Sequence, residues 1–235
     1  MYSVFVSKIK AMALINDDLR RLIKRDANAV VLPWSMPQEL DANRLLNDYF
    51  KKGSDKYNKY INSLINLGIR EENIFIGNCY SDSKELLREK IKKADVLLLT
   101  GGNPEMLFSK VVHGTELLYD IKYFEGIVIG ESAGAVLEFK RYFITKENNY
   151  YKYFAFYDGF GIVDDPFYID VHSLDTKEYL NFLREVANEY DKDIYAIADD
   201  GAVVLNRSSL DVKTYGNVIK IERGIVWKKL KLFVV

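Results

Sequence analysis

The sequence predicts an α/β protein built on a mostly parallel sheet with helices on both faces. Its candidate strands are short, unbroken aliphatic runs, as at 29–32 and 96–99, and this pattern is typical of strands that are buried on both faces. Segments with helical spacing separate these runs along the chain. No Pro/Gly/Ser-rich linker and no internal repeat interrupts the 235 residues, which predicts a single domain over 1–235.

The elements follow one another in a regular alternation. Strands are predicted at 2–6, 29–32, 73–76, 96–99, 127–129, 167–172 and 194–198, with β-like structure at 149–157 and a turn into a further strand at 159–163. Helices are predicted from Asn16, within 43–67, and over 83–93, 105–123 and 175–190. After Ala202 apolar and polar residues alternate, which predicts antiparallel strands at the edge of the sheet. The apolar terminus 232–235 either packs or marks a subunit contact, so a homodimer stays open.

Composition excludes several classes of protein. Apolar residues make up 49% of the chain, which is enough for one sizeable core without disulfides or metal. The 33 Lys and Arg almost balance the 34 Asp and Glu, which argues against nucleic acid as the main partner. The single cysteine, Cys79, rules out an intramolecular disulfide. The amino terminus lacks a secretory-signal pattern and no run is long enough for a membrane span, so we expect a cytoplasmic protein with no membrane partner.

The segment 126–136, G-I-V-I-G-E-S-A-G-A-V, predicts a strand, a tight turn and a helix with Ser132 at the apex. A nucleophile at such a turn adopts strained backbone angles, so its neighbours must be small, as Gly130 and Gly134 are. The Ala133 N–H then lies at a helix start, where free amides favour developing negative charge. This motif alone supports two interpretations about equally. Ser132 is a catalytic nucleophile, or the segment is a Gly/Ala-rich turn packed against the sheet in which Ser132 serves as the N-cap of the helix.

A second glycine-rich turn, T-G-G-N-P at 100–104, follows the predicted strand at 96–99. Asn103 can cap the next helix, and proline suits its first position. If the two strands are neighbours, the Gly-Gly amides and the Ala133 amide converge on one oxygen, as an oxyanion hole requires. The alternatives are an ordinary tight turn and a phosphate-binding loop, although the G-x-G-x-x-G and G-K-[ST] signatures of the latter are missing.

A nucleophilic serine needs a base, and the chain has two histidines. His113 falls within a predicted helix, whereas His172 ends a strand, where α/β sheets bind ligands, so position favours His172. The carboxylate that orients the imidazole is expected after the strand at 194–198. Asp199 and Asp200 are both candidates, with side chains on opposite faces of the strand. An Asp-Asp-Gly sequence is also ordinary turn chemistry.

Four motifs together resemble one known family. They are G-E-S-A-G-A at the elbow, L-L-L-T-G-G-N-P before it, D-V-H at a strand end and A-I-A-D-D-G-A near the end of the chain. All four are similar to motifs of peptidase family S51, which includes dipeptidase E and cyanophycinase. The resemblance covers 2–206 and implies a flavodoxin-like fold related to that of class I glutamine amidotransferases.

The resemblance also implies a function and a site. It implies a serine peptidase that hydrolyses small peptides through an acyl-enzyme on Ser132, with His172 as general base and Asp200 as the third triad member. The Gly102 and Ala133 amides would form the oxyanion hole, and no metal or organic cofactor is implied. The order Ser–His–acid differs from the Ser–acid–His order of α/β-hydrolases, which share the G-x-S-x-G elbow.

Two features depart from the aspartyl dipeptidases of that family. Those enzymes resemble one another in having basic residues after the histidine, which bind an acidic side chain. Here Lys177 is the only cation before Arg184, so a preference for N-terminal aspartate does not follow. The residue before the nucleophile is Glu131, whose charge favours a cationic group such as a substrate amine. Glu131 and Asn103 are therefore the candidate substrate-binding residues.

Two other functions stay open. An esterase or amidase of α/β-hydrolase type would use an aspartate between Ser132 and His172, and its histidine is expected nearer the carboxyl terminus. A catalytically idle family member would serve as a binding module, although it would not need Ser132, His172 and Asp200 together. A glutaminase is disfavoured, because such enzymes use an elbow cysteine and Cys79 lies elsewhere, in I-G-N-C-Y-S.

Overall fold

The strands of the protein follow the aliphatic runs of the sequence. The computed structural model describes residues 1–36, 41–145 and 153–224. The strands are β1 (Tyr2–Val6), β2 (Ala29–Leu32), β3 (Ile74–Ile76), β4 (Val96–Leu99), β5 (Ile127–Glu131), β6 (Arg141–Ile144), β7 (Ala155–Asp158), β8 (Tyr168–Val171), β9 (Ile194–Asn206) and β10 (Val212–Ile221).

One mixed sheet holds most of these strands. Its order is β10-β9-β1-β5-β4-β2-β3, with β8 also paired to β9, while β6 and β7 form a separate antiparallel pair. Strands β1, β5, β4, β2 and β3 all run parallel. β9 is antiparallel to β1, and β10 is antiparallel to β9 at the edge. The predicted α/β fold, with a mostly parallel sheet and antiparallel strands at its carboxyl-terminal edge, is confirmed.

Strand β9 changes its partner half-way along its length. Residues 194–197 pair in parallel with β8, and residues 202–206 pair antiparallel with β1. The carboxyl ends of β1 and β8 therefore meet beside residues 198–201. Gly201 lies at this junction, and a Cβ on it would come within 2.3 Å of the Asn217 carbonyl oxygen of β10. A residue without a side chain is needed for this close approach.

The helices lie in the connections between strands. They are α1 (Asn16–Arg20), α2 (Ala42–Arg44), α3 (Asn62–Asn66), α4 (Lys84–Lys93), α5 (Pro104–Ser109), α6 (Leu118–Lys122), α7 (Ala133–Leu137) and α8 (Lys177–Glu189). The two longest begin at capping side chains: Ser83 accepts a hydrogen bond from the Leu86 N–H, and Thr176 accepts one from the Tyr179 N–H.

Alternate side chains of the parallel strands enter two cores, one on each face of the sheet. Phe5 and Leu97 belong to the core that helices α4 to α7 cover. Val4 and Leu98 belong to the opposite core, which is covered by α1, α3 and a 3-10 turn (Ile9–Leu14). Continuous apolar strands are therefore explained by burial on both faces.

Three predicted elements differ from the observed ones. The helix predicted over 105–123 is broken between α5 and α6, because a π-helical turn (Lys110–Gly114) leads to Glu116 at φ 53°. The stretch 43–67 contains α2, α3 and two π-helical turns instead of one helix. The strand predicted from 159–163 appears as an isolated bridge between Phe139 and Val163.

Some predictions extend beyond the part of the chain that the structure describes. The β-like stretch 149–157 is seen from Ala155 onwards, as β7, and its first four residues lie outside the described ranges. The terminus 232–235 also lies outside them, so a homodimer stays a prediction, as does the single domain. Within the described ranges, no helix combines the length and the apolar character needed to cross a membrane.

A buried acidic side chain lies behind the glycine-rich elbow. Glu138, the residue after α7, is fully buried, and neither carboxylate oxygen has a hydrogen-bond partner among the described residues. Burial raises the pKa of Glu138 well above its ordinary value, and the nearby Ser3 and Arg207 lower it less. Burial of this kind favours the protonated form of the carboxyl.

We expect Glu138→Gln to stabilise the fold more at pH 8 than at pH 5. In the unfolded chain this carboxyl ionises at its ordinary pKa of about 4.3. The wild type therefore loses stability as the pH rises from that value towards the raised folded pKa, whereas glutamine has no proton to lose. Urea unfolding should show a gain for the variant that is larger at pH 8 by about 1 kcal/mol or more. An equal difference at the two pH values would contradict this account.

Candidate active site

The G-x-S-x-G segment forms a sharp elbow between β5 and α7. Ser132 sits at φ 49° and ψ −107°, a sparsely populated region for a residue with a side chain. Its N–H donates to the Val6 carbonyl oxygen at 2.8 Å. A Cβ on Gly134 would come within 2.2 Å of the Leu99 carbonyl oxygen, and one on Gly130 within 2.5 Å of the α7 backbone. Small neighbours are therefore required, as the sequence predicts.

His172 directly follows β8 and reaches the serine. Its Nε2 lies 2.9 Å from the Ser132 Oγ. The residue adopts φ 57°, and its N–H donates to the Ser7 Oγ at 2.9 Å. The Ser7 hydroxyl in turn donates to the Ile197 carbonyl oxygen of β9 at 2.8 Å. One buried serine at the end of β1 therefore joins β8 and β9 and fixes the backbone of the histidine.

The carboxylate beside the imidazole belongs to Asp199, and the prediction of Asp200 is wrong on this point. The Nδ1 of His172 lies 2.7 Å from the Asp199 Oδ1. Asp200 instead accepts a hydrogen bond from the Asn217 side-chain amide at 2.6 Å. The two aspartates lie within β9 rather than after it, and successive side chains of a strand point to opposite faces. Lys8 forms an ion pair with the same Asp199 carboxylate.

The environment of Asp199 keeps its carboxyl ionised. Partial burial raises the pKa of Asp199, but the hydrogen bonds and charges of Lys8 and His172 outweigh burial and leave that pKa below its ordinary value. An ionised carboxylate accepts the Nδ1–H of the imidazole and leaves Nε2 free to accept the serine proton. The contact at Nδ1 therefore favours the tautomer whose Nε2 can accept the proton of the Ser132 hydroxyl.

The glycine-rich turn after β4 lies next to the elbow, as expected, because β4 and β5 are neighbours. Gly102 adopts φ 146°, and a Cβ on it would approach the Ser35 carbonyl oxygen to 2.5 Å. Gly102, Ser132, Ala133 and His172 border the same cavity. Among the described residues, neither the Gly102 N–H nor the Ala133 N–H has an intramolecular acceptor. Both amides are thus available to an oxygen of a ligand.

The two candidate substrate-binding residues make intramolecular contacts. The Asn103 side chain accepts a hydrogen bond from the Met106 N–H and caps α5. The Glu131 side chain is buried, with the Lys59 ammonium 2.9 Å from its carboxylate and hydrogen bonds from the Tyr60 hydroxyl and the Gly101 N–H. A contact of Asn103 with substrate stays a prediction, and a substrate amine would have to compete with the donors that already occupy Glu131.

The cleft at the nucleophile has two parts. On one side of Ser132 and His172 lies a cavity of about 60 Å³, which Phe143, Ile144 and Thr145 also line. On the other side lies a larger and more open part of about 490 Å³. Three lysines, Lys8, Lys10 and Lys59, are among the residues that line it. Two of them are already paired with carboxylates, Lys8 with Asp199 and Lys59 with Glu131.

Several residues that contact the site could not be predicted from the sequence. Ser7, Lys8 and Tyr60 carry no motif, and the only signal for the first two was their position directly after β1. His113, the other histidine, is exposed in the π-helical turn after α5. Within the described ranges, no three His, Cys, Asp or Glu side chains are grouped as a metal would require.

Comparison with known proteins identifies the family. The family model of peptidase family S51 matches residues 52–213, more than half of the chain. The chain belongs to this family. The resemblance inferred from the four motifs is thereby confirmed. No curated protein matches the sequence.

Two solved structures share the fold over nearly their whole length. A protein from Listeria monocytogenes EGD-e that is assigned as a peptidase E is 18% identical, with 95% of this chain and 98% of that chain covered and a TM-score of 0.57. A peptidase from an acI-B1 Actinobacterium is 15% identical, with 95% of each chain covered and the same TM-score of 0.57. At these identities the likeness shows the fold alone.

We expect Gly102→Ala to destabilise the protein by about 1–3 kcal/mol, because an L-residue is strained at φ 146° and its Cβ would overlap the Ser35 carbonyl oxygen. Gly114→Ala is the matched control, since the nearest atom to a Cβ there is 3.9 Å away. Thermal unfolding of the two variants measures the difference. Equal melting temperatures would show that the turn adapts to a side chain and is not held as described.

Proposed function

We propose that the protein is a serine peptidase that hydrolyses small peptides through an acyl-enzyme on Ser132. The observation that carries this proposal is the continuous chain of contacts from Ser132 Oγ through His172 to Asp199, at 2.9 and 2.7 Å. A serine, a base and an orienting acid in hydrogen-bond reach of one another are the arrangement that activates a hydroxyl for attack. Membership of peptidase family S51 supports the peptide bond as its target.

The reaction begins when the Ser132 Oγ attacks the carbonyl carbon of the substrate and His172 Nε2 takes the hydroxyl proton. The carbonyl oxygen becomes an oxyanion, which the Gly102 and Ala133 N–H groups bind. The imidazolium then gives its proton to the amine as the C–N bond breaks, and the acyl group stays on Ser132. Water repeats the sequence with His172 as base, which releases the acid and restores the serine.

Asp199 supports both steps without taking a proton. Its carboxylate accepts the hydrogen bond from Nδ1–H, which fixes the tautomer that leaves Nε2 basic, and it stabilises the imidazolium that forms. Lys8 pairs with the same carboxylate from the other side. Asp199, rather than Asp200, is therefore our third triad member.

The walls of the cleft support a short peptide as substrate. The cavity of about 60 Å³ beside the nucleophile is small, which favours a small side chain next to the scissile bond. Of the lysines that line the open part, Lys8 is paired with Asp199 and Lys59 with Glu131. Within the described part of the chain, this leaves the ammonium of Lys10 for a ligand. A short peptide brings a free carboxylate close to its scissile bond. The internal bonds of a folded protein bring no such charge. We therefore favour small peptides with free carboxyl termini.

The order of the triad disfavours an esterase or amidase of α/β-hydrolase type. In that alternative an aspartate between Ser132 and His172 would orient the imidazole, whereas Asp199 follows the histidine in the chain. Asp170, which lies in that interval, accepts a hydrogen bond from Tyr179 instead. A binding module would not need a serine, a histidine and an aspartate in contact. Here Ser132, His172 and Asp199 form a chain of contacts at hydrogen-bond distance, which favours the enzyme.

Peptide hydrolysis should depend on Ser132 and Asp199 but not on Asp200. We expect Ser132→Ala to abolish turnover of a panel of dipeptides and short peptides, and Asp199→Asn to lower kcat by about 10³- to 10⁴-fold because the wrong tautomer is favoured. Asp200→Asn is the matched control, with a change of less than about threefold, since it removes a charge from the next residue and leaves the imidazole untouched. The measurement is amine release with purified variants.

The reverse pattern would sink the proposed triad. If Asp200→Asn lowered kcat by the roughly 10³- to 10⁴-fold expected for Asp199→Asn, and Asp199→Asn left kcat unchanged, the carboxylate that orients His172 would belong to Asp200, on the other face of β9. If Ser132→Ala kept the turnover of the wild type, the peptidase would not act through this serine.

A further inference from the structure

The carboxylate that precedes the nucleophile is held by groups from three separate segments. Glu131 is 2% exposed. Its Oε1 accepts a hydrogen bond from the Ile9 N–H at 2.9 Å and lies 2.9 Å from the Lys59 ammonium. Its Oε2 accepts hydrogen bonds from the Tyr60 hydroxyl at 2.7 Å and the Gly101 N–H at 3.2 Å. One side chain thus links the loop after β1, the π-helical turn before α3 and the turn after β4.

Such a site exists only if the charge is compensated. A buried carboxylate without a partner costs several kcal/mol, and an ammonium together with hydrogen bonds offsets that cost. Lys59 supplies the ammonium. Tyr60 is fully buried, and burial together with the Glu131 charge raises the pKa of its phenol, so the hydroxyl stays protonated and donates.

The contact with Gly101 bears directly on the oxyanion hole. The Gly102 N–H shares a rigid peptide plane with the Gly101 carbonyl, and that carbonyl oxygen accepts a hydrogen bond from the Ser35 Oγ at 2.7 Å. Glu131 holds the N–H on the other side of the Gly101 Cα, so the two side chains together restrict the direction of the Gly102 N–H. A Cβ on Gly101 would come within 2.9 Å of the Glu131 Oε2, and one on Gly102 within 2.5 Å of the Ser35 carbonyl oxygen. The turn is therefore clamped between Glu131 on one side and Ser35 on the other.

The charge of Lys59 matters for a second reason. A carboxylate bound to the N–H of Gly101, the residue before an oxyanion donor, repels the negative charge that develops on the substrate oxygen, and the effect is strong where water is excluded. The ammonium of Lys59 cancels this repulsion and leaves the orienting hydrogen bonds in place.

We propose that Glu131 is a positioning residue that, with Lys59 as counter-ion and Tyr60 as hydroxyl donor, holds the Gly101-Gly102 turn so that the Gly102 N–H faces the oxygen bound at Ser132. This inference rests on the proposed function of Ser132. It replaces the earlier interpretation of Glu131 as the residue that binds a substrate amine.

A double-mutant cycle tests the charge relationship. Lys59→Met removes the ammonium that contacts the buried carboxylate directly, and we expect it to lower kcat about 100-fold with KM changed less than threefold, in the range seen when an oxyanion donor is lost. Glu131→Gln should lower kcat about tenfold. The double variant should recover to the level of Glu131→Gln, because no charge is left to repel the oxyanion. Losses that multiply in the double variant would show two independent structural contributions and would overturn the proposal.

A substrate-independent probe separates this proposal from the proposed function. Diisopropyl fluorophosphate transfers its phosphoryl group to an activated serine: the O–P bond forms, fluoride leaves, and the serine proton passes to the histidine. The P=O oxygen needs the same amides. We expect the rate of phosphorylation at Ser132, followed by intact mass, to fall by about 10- to 100-fold in Lys59→Met and by about three- to tenfold in Tyr60→Phe.

The controls are Lys52→Met and Glu71→Gln, which remove the partners of an exposed ion pair and should leave the rate unchanged. Tyr60→Phe keeps the ring and the ion pair, so it reports on the hydroxyl even if the charge variants fold poorly. If the wild type is labelled at Ser132, and Tyr60→Phe and the folded charge variants are labelled at the same rate as the wild type, the positioning role is overturned and the proposed function is not. A wild type that is not labelled at Ser132 would overturn the proposed function itself.

Discussion

The arrangement of the site depends on one constraint, the change of partner within β9. Because β9 pairs first with β8 and then with β1, the ends of those two strands and the middle of β9 meet at one point. Ser7 closes this junction, since its hydroxyl donates to the Ile197 carbonyl oxygen and accepts from the His172 N–H. The imidazole is thereby held between the elbow serine and the Asp199 carboxylate, and each of the three groups lies in a strand or directly after one.

Strain and close packing at the elbow are balanced by the sheet below it. Ser132 keeps a sparsely populated backbone conformation, which persists only where the surroundings over-determine it. The Val6 carbonyl oxygen accepts its N–H, and α7 packs so closely on β4 that Gly134 admits no Cβ. The small side chains around Ser132 are therefore what the chemistry requires of the sequence. They let β5, the turn and α7 pack closely against one another, and this packing leaves the Ser132 hydroxyl accessible at the apex.

The features of the fold and of the site that could be predicted from the sequence are those that depend on residues close together in the chain. The strands at Tyr2–Val6 and Val96–Leu99, the elbow at Ser132 and the base at His172 follow from nearby residues. The choice between Asp199 and Asp200 did not, because it required knowing that β9 continues through both residues and which face meets the imidazole. The contact of Tyr60 with Glu131 could not be predicted either, since the two residues are 71 positions apart and no sequence motif contains both of them.

A covalent intermediate on Ser132 is the central step of the proposed reaction. Acid-quenched mixtures of the protein and a rapidly turned-over peptide ester, measured by intact mass and peptide mapping, test it. We expect an added mass equal to the acyl portion of the substrate, confined to the peptide that contains Ser132 and missing from Ser132→Ala. Turnover without any adduct under conditions where deacylation limits the rate, or an adduct on another residue, would contradict it.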